Sequence, residues 1–186
     1  MPLRRRTFIP ALAFLALPAG FTAPPAWSAG SGATTYRTAT WEELVPKGWN
    51  PVANQDPKLG LLPDSDPKVL QMMRELREVW DNAPTVPALA GAAIKLPGYV
   101  VPLEESKAGL KEFLLVPYFG ACIHTPPPPA NQIVHVVVDT PVKGFRSMDT
   151  VWVSGTLSTR RADSPMGTSG YGLSAARVER YVAPAR

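Results

Sequence analysis

An apolar run and a β-branched run held apart by four consecutive prolines constrain this chain more than anything else in it. Residues 113–138 read Phe-Leu-Leu-Val-Pro-Tyr-Phe-Gly-Ala-Cys-Ile-His-Thr-Pro-Pro-Pro-Pro-Ala-Asn-Gln-Ile-Val-His-Val-Val-Val. Residues 113–123 and 132–139 have strand composition. Pro126, Pro127, Pro128 and Pro129 have no N–H to give a ladder, so they end the first strand and form a stiff extended loop, with Asn131 and Gln132 tying down the turn. A hairpin with a rigid tip is the expected result. The window also holds the only cysteine and both histidines, Cys122, His124 and His135. In extended chain Cys122 and His124 share a face, about 6 to 7 Å apart along the strand. The face of His135 depends on register. If paired residue numbers sum to an odd value it joins Cys122 and His124; if even, it turns away.

The remaining chain supplies a frame for this unit. Short β-rich runs recur at 94–103, 113–123, 132–139, 150–159 and 174–182, with Gly98 and Gly155 placed where a barrel strand bends or bulges. The fold class expected is mainly β (α+β): a small five-stranded antiparallel barrel of the oligonucleotide/oligosaccharide-binding (OB) type with one N-terminal helix. A flatter sandwich is the competitor. Asp66-Pro67 sets an N-cap and a first-turn proline, and Val69, Met72, Met73, Leu76, Val79 and Trp80 recur at helical spacing up to Asn82, a stripe expected to pack as core contact. Thr40 caps a short turn over Trp41–Leu44, and Trp41, Leu44 and Trp49 are expected to clasp the body. Residues 162–172, rich in Gly and Ser around Pro165 and Met166, read as a mobile loop.

Arg4, Arg5 and Arg6 precede an apolar run, Phe8 to Phe21, and small residues follow around Ala26 to Gly30, which is the order of an export signal. Arg5-Arg6-Thr7-Phe8-Ile9 also has the twin-arginine form, so the Tat and Sec routes both fit a periplasmic address. Three units are therefore expected: 1–29 as signal peptide, 30–91 as leader, tryptophan clasp and helix, and 92–183 as the barrel-like domain. With no cysteine near the cleavage site, no lipid anchor is expected. The net charge of +4 falls close to neutral once the signal is removed, which is no nucleic-acid footprint. Export also gives Cys122 a meaning: a lone cysteine in an oxidising compartment is buried, bound to metal, catalytic, or paired with another molecule.

The runs Leu96-Pro97-Gly98-Tyr99-Val100-Val101-Pro102-Leu103-Glu104, Phe113 through Gln132, and Val151-Trp152-Val153-Ser154-Gly155-Thr156-Leu157 together resemble the exported bacterial proteins known as domain of unknown function 3299, over roughly Trp41 to Tyr181. The resemblance implies a periplasmic protein of Gram-negative bacteria. Some relatives are encoded beside ABC-type export machinery and metal-homeostasis genes, which implies a zinc-linked role or an adaptor role at a membrane transport complex.

Three chemistries compete for the window. Thiolate and imidazole suit zinc or copper, so Cys122, His124 and, if register allows, His135 are the candidate metal ligands, with a carboxylate such as Asp139, Glu104 or Glu105 or a partner's side chain as a further donor, and the resemblance favours zinc. Blue-copper chemistry wants a second histidine and a methionine soon after the cysteine, and Met148 and Met166 are too remote in sequence for that signature. As a nucleophile, Cys122 needs a base within about 3 Å, and two residues apart on a strand His124 is spaced alongside it rather than aimed at it. No catalytic residue is assigned. The bland alternative makes Cys122 a buried small hydrophobe and His124 a loop cap. It leaves Pro126–Pro129 as a rigid docking lip.

Overall fold

In the computed structural model, which describes residues 34–53, 57–104, 107–122 and 127–182, side-chain alternation along each long strand decides what lies inside. The strands are β1 (Arg37–Thr38), β2 (Ala93–Pro102), β3 (Leu110–Val116), β4 (Val134–Val142), β5 (Thr150–Ser158), β6 (Ala162–Ser164), β7 (Gly167–Ser169) and β8 (Tyr171–Arg180). Along β2, Ile94, Leu96 and Val100 are fully buried while Ala93, Lys95, Pro97 and Tyr99 between them are only partly covered. They meet Phe113 and Leu115 of β3, Val134 and Val136 of β4, Val151 and Val153 of β5, and Tyr171 and Leu173 of β8 in one interior cluster.

These five long strands close a ring: β2 pairs with β3, β3 with β4, β4 with β8, β8 with β5, and β5 returns to β2. The OB-like barrel expected from the sequence is therefore present, with one correction to its strand directions. All pairs are antiparallel except β4–β8, which is parallel, with Val136 opposite Leu173. A closed ring with an odd number of strands cannot alternate direction throughout, so one neighbouring pair has to be parallel. Short β1 adds in parallel beside the first half of β2.

The two strand glycines sit at close approaches. A Cβ on Gly98 would lie 2.7 Å from Leu115 Cγ, and Gly155 marks the register shift between β5 and β8. Helix α1 (Pro67–Asp81) starts as expected, the Asp66 carboxylate accepting the Lys68 N–H at 2.8 Å. Its apolar stripe is less covered than core contact implies. Val69 is buried and Met72, Leu76 and Trp80 half-buried, but Met73 and Val79 are exposed. The clasp is held by polar bonds as well as packing. Trp41 Nε1 donates to the Pro97 carbonyl at 2.8 Å, Leu44 is fully buried, and the Glu43 carboxylate accepts the Thr40 N–H at 3.0 Å. The Tyr171 hydroxyl joins clasp, post-helix segment and barrel, donating to the Leu44 carbonyl at 2.8 Å and accepting the Val86 N–H at 2.7 Å.

Two expectations about loops fail. β3 stops at Val116 rather than continuing to residue 123, because Pro117 cannot donate and Gly120 adopts a left-handed φ of 84°. Residues 162–172 are not a mobile loop. They form the β6–β7 hairpin and the start of β8, with Ser164 Oγ donating to the Gly167 carbonyl and Thr168 Oγ1 to Asp163 Oδ1, both at 2.8 Å. The signal-peptide assignment, residues 1–29, lies outside the described residues. Among the described residues no helix is long and apolar enough to cross a membrane.

Candidate functional site

The wall formed by β3 and β4 has a second apolar side. Leu114 pairs with His135 and Phe113 with Val136, the odd-sum register. Phe113 and Val136 point into the barrel, so Leu114 and His135 share its outer face. On that face Val101, Leu114, Val116, Ala121 and Ile133 form a separate buried cluster, with Tyr99, Leu103, Cys122, Met148 and Met166 packed against it. In barrels of this type the outer face of the second and third strands is the usual ligand surface. That is a fold-level analogy. Here the surface lies under the chain's own connections.

Each connection brings a side chain to the face for a local reason. Once β3 has ended, Ala121 is buried and Cys122 is half-buried with a φ of 67°. That left-handed conformation is uncommon outside glycine, asparagine and aspartate and costs on the order of 1–3 kcal/mol. The turn between β4 and β5 adds Met148, also left-handed at φ 65°, whose thioether accepts the Gly120 N–H at 3.1 Å. Among the described residues, Cys122 and Met148 are the only non-glycine residues with positive φ. Met166 stands at the turn of the β6–β7 hairpin, next to Gly167, where a Cβ would lie 3.0 Å from Pro127 and 3.3 Å from Ile133. Helix α1 closes one side with Arg77. Its guanidinium grips Asp81 through Nη2 at 2.7 Å and Nε at 3.0 Å, and Nη1 reaches the Pro127 carbonyl at 3.5 Å.

Electrostatics at the thiol follow from this packing. Burial pushes the Cys122 thiol up to about 11, and the nearby Arg77 charge offsets only part of that. Burial likewise raises the Tyr118 phenol, with a further push from Cys122. The thiol is therefore protonated at neutral pH and a poor nucleophile.

The expected ligands fall in different places. Cys122 lies on the outer face as described; His124 and Pro126 lie outside the described residues. The His135 side chain is 12% exposed, with Nε2 3.5 Å from Glu112 Oε2 and no hydrogen bond to either ring nitrogen. Among the described residues no three His, Cys, Asp or Glu side chains gather closely enough to hold a metal ion. Pro128 is buried, and Pro127 and Pro129 are half-buried. Asn131 is fully buried and fastens the end of the loop, its Nδ2 donating to the Pro84 carbonyl at 3.1 Å, while the Gln132 N–H donates to the Pro129 carbonyl at 2.8 Å. Sequence reasoning missed Arg77 and Tyr118 as neighbours of the thiol and set Met148 and Met166 aside for their distance along the chain. Barrel closure brings both methionines to the face, and only a correct strand order could have revealed it.

Relatives place this architecture. A crystal structure of a DUF3299 family protein from Pseudomonas aeruginosa PAO1 is 39% identical, with a TM-score of 0.64, and the match covers 82% of this chain and 100% of that one. No curated protein matches. The family model described as protein of unknown function (DUF3299) matches residues 41–180, which takes in clasp, helix and barrel, and the chain belongs to that family.

Proposed function

We propose that this chain is an exported, periplasmic accessory protein that docks on a component of an ABC-type transport assembly through the loop leaving β3, without covalent chemistry of its own. The observation that carries this reading is the way the loop presents aromatics. Tyr118 and Phe119 are 43% and 64% exposed, yet the loop beneath them is anchored by the buried Ala121, by the Gly120–Met148 hydrogen bond and by edge-on contact of Phe119 with Tyr99 at 5.8 Å. A pre-ordered aromatic pair gives up little entropy on binding, and aromatics are enriched at the cores of interfaces. The export-signal order of residues 1–30 supports the compartment. A protonated, half-buried thiol argues against a cysteine-dependent enzyme. Zinc-linked duty is a finer form of the same reading, and it needs donors beyond Cys122.

A photo-crosslinking amino acid in place of Phe119, expressed in cells with an intact envelope, tests the docking surface. The expected product is one defined adduct with a transporter component. Loss of that adduct relative to a crosslinker placed at exposed Glu104, or adducts equal at both positions, would sink the proposal.

A further inference from the structure

The β4–β8 ladder ends before either strand does. Its last rung is Val138 opposite Ala175, yet β4 runs on to Val142 and β8 to Arg180. On its other side β8 stays paired with β5 as far as Arg180, and β4 rejoins β3 at Val142 opposite Leu110. Each strand therefore turns toward the other an edge that carries no ladder partner among the described residues. Both strands are irregular at this point. Ala176 is the extra residue where β8 slips register against β5, and residues 138–141 are the slack of β4 against β3. Between the two edges lies a groove of about 390 Å³. Val142 and Val178, which pack against the barrel interior, are left half-covered in it, and Asp139 and Arg177 stand exposed on its opposite rims. Bulges and proline are also how free edges are protected, and Pro141 fits that role. Protection alone leaves unexplained an apolar floor opened between two edges at once.

We propose that this groove receives an extended segment of a partner protein, which adds as a strand between β4 and β8. Strand addition to a free edge takes its affinity from main-chain hydrogen bonds and its selectivity from alternate side chains. Ring parity fixes the direction. Because β4 and β8 are parallel, a strand antiparallel to one is antiparallel to the other, and over this stretch the ring becomes six strands with every neighbouring pair antiparallel. The chemistry of the segment follows from the walls. Its inward side chains are small and apolar, to lie over Val142 and Val178. Its outward ones include a base toward Asp139 and an acid toward Arg177, since opposite charges across a ladder are favourable. The groove lies at the opposite end of β4 from the loop that carries Tyr118 and Phe119, so it is a second contact, independent of docking through that loop.

The test is hydrogen–deuterium exchange of the mature chain with a probe peptide, Thr-Val-Lys-Val-Glu-Val-Thr with blocked ends, first free in excess and then fused after residue 186 through a Gly/Ser linker that raises its local concentration. Exchange should slow by at least about tenfold in segments 138–142 and 175–178 and nowhere else in the barrel, the effect of a probe at about ten times its Kd. A probe methylated at every second amide lacks the donors for one edge and should protect nothing. Arg177→Glu, a change at an exposed position, should weaken the probe by a few-fold, and replacing the glutamate of the probe by lysine should restore it. A fused probe that leaves 138–142 and 175–178 unprotected overturns the proposal, as does equal protection by the methylated probe. So does slow exchange of these segments in the chain alone that deletion of residues 183–186 relieves, since the chain's own end would then be the occupant.

Discussion

Tyr171→Phe is the sharpest test of how the fold is held. The ring is fully buried, and its hydroxyl bridges the Leu44 carbonyl at 2.8 Å and the Val86 N–H at 2.7 Å, so three segments meet at one oxygen. Phenylalanine keeps the packing and removes both hydrogen bonds. Leu44 is buried and Val86 half-buried, so one orphaned group has no access to water and the other has partial access. At about 1–3 kcal/mol for each buried group left without a partner, and the lower end for Val86, the loss is about 2–4 kcal/mol. That is a large share of a typical total of about 5–15 kcal/mol. Urea denaturation should show a lower midpoint with an unchanged slope, and the melting temperature should fall by about 5–10 °C. The phenol adds a pH signature. Burial raises its folded pKa above the unfolded value of 10.0, so the native state keeps it neutral where the unfolded chain ionises. The stabilisation is complete below pH 10 and falls as pH rises further, so the gap between wild type and Tyr171→Phe should narrow there. A midpoint shift worth less than about 0.5 kcal/mol, the scatter of neutral surface changes, would refute the bridging role.

Two further outcomes follow from the barrel and the thiol. Gly155→Ala drives a Cβ against the Ser174 carbonyl, Leu173 Cδ2 at 2.7 Å and Ala175 Cα at 2.9 Å, and because backbone cannot yield as a side chain does, the variant should lose about 3 kcal/mol or more in urea unfolding; wild-type stability would mean that the β5–β8 bulge relaxes freely. Alkylation of metal-free Cys122 by iodoacetamide should be slow at pH 7 and climb through pH 9 toward its folded pKa of about 11, and a plateau already reached by pH 8 would contradict the burial assigned to the thiol.

The parts of the fold readable from the sequence were those decided by local chemistry. Asp66-Pro67 set the helix start because the cap and the fixed proline φ act within one turn, and strand alternation in 94–103 and 150–159 survives in β2 and β5. What escaped depended on closure. The parallel β4–β8 pair follows from ring parity, which no single segment carries, and the β6–β7 hairpin hides in a Gly/Ser-rich stretch whose order comes from Asp163, Ser164 and Thr168 bonding across it. The site was half legible for the same reason. Cys122 drew attention as the lone cysteine, but its extended placement presumed a strand that Pro117 and Gly120 interrupt, and the methionines join the same outer cluster only through the completed barrel.

The two left-handed residues show what holds the outer face of the barrel together. Glycine at 122 or 148 would meet the same φ at no steric cost, and asparagine at little, so a purely structural loop has cheaper ways to turn. Keeping cysteine and methionine instead means carrying about 1–3 kcal/mol of strain at each position, which persists only where the surroundings over-determine it. Here they do: the Gly120 N–H fixes one sulfur and buried Ala121 fixes the residue before the other.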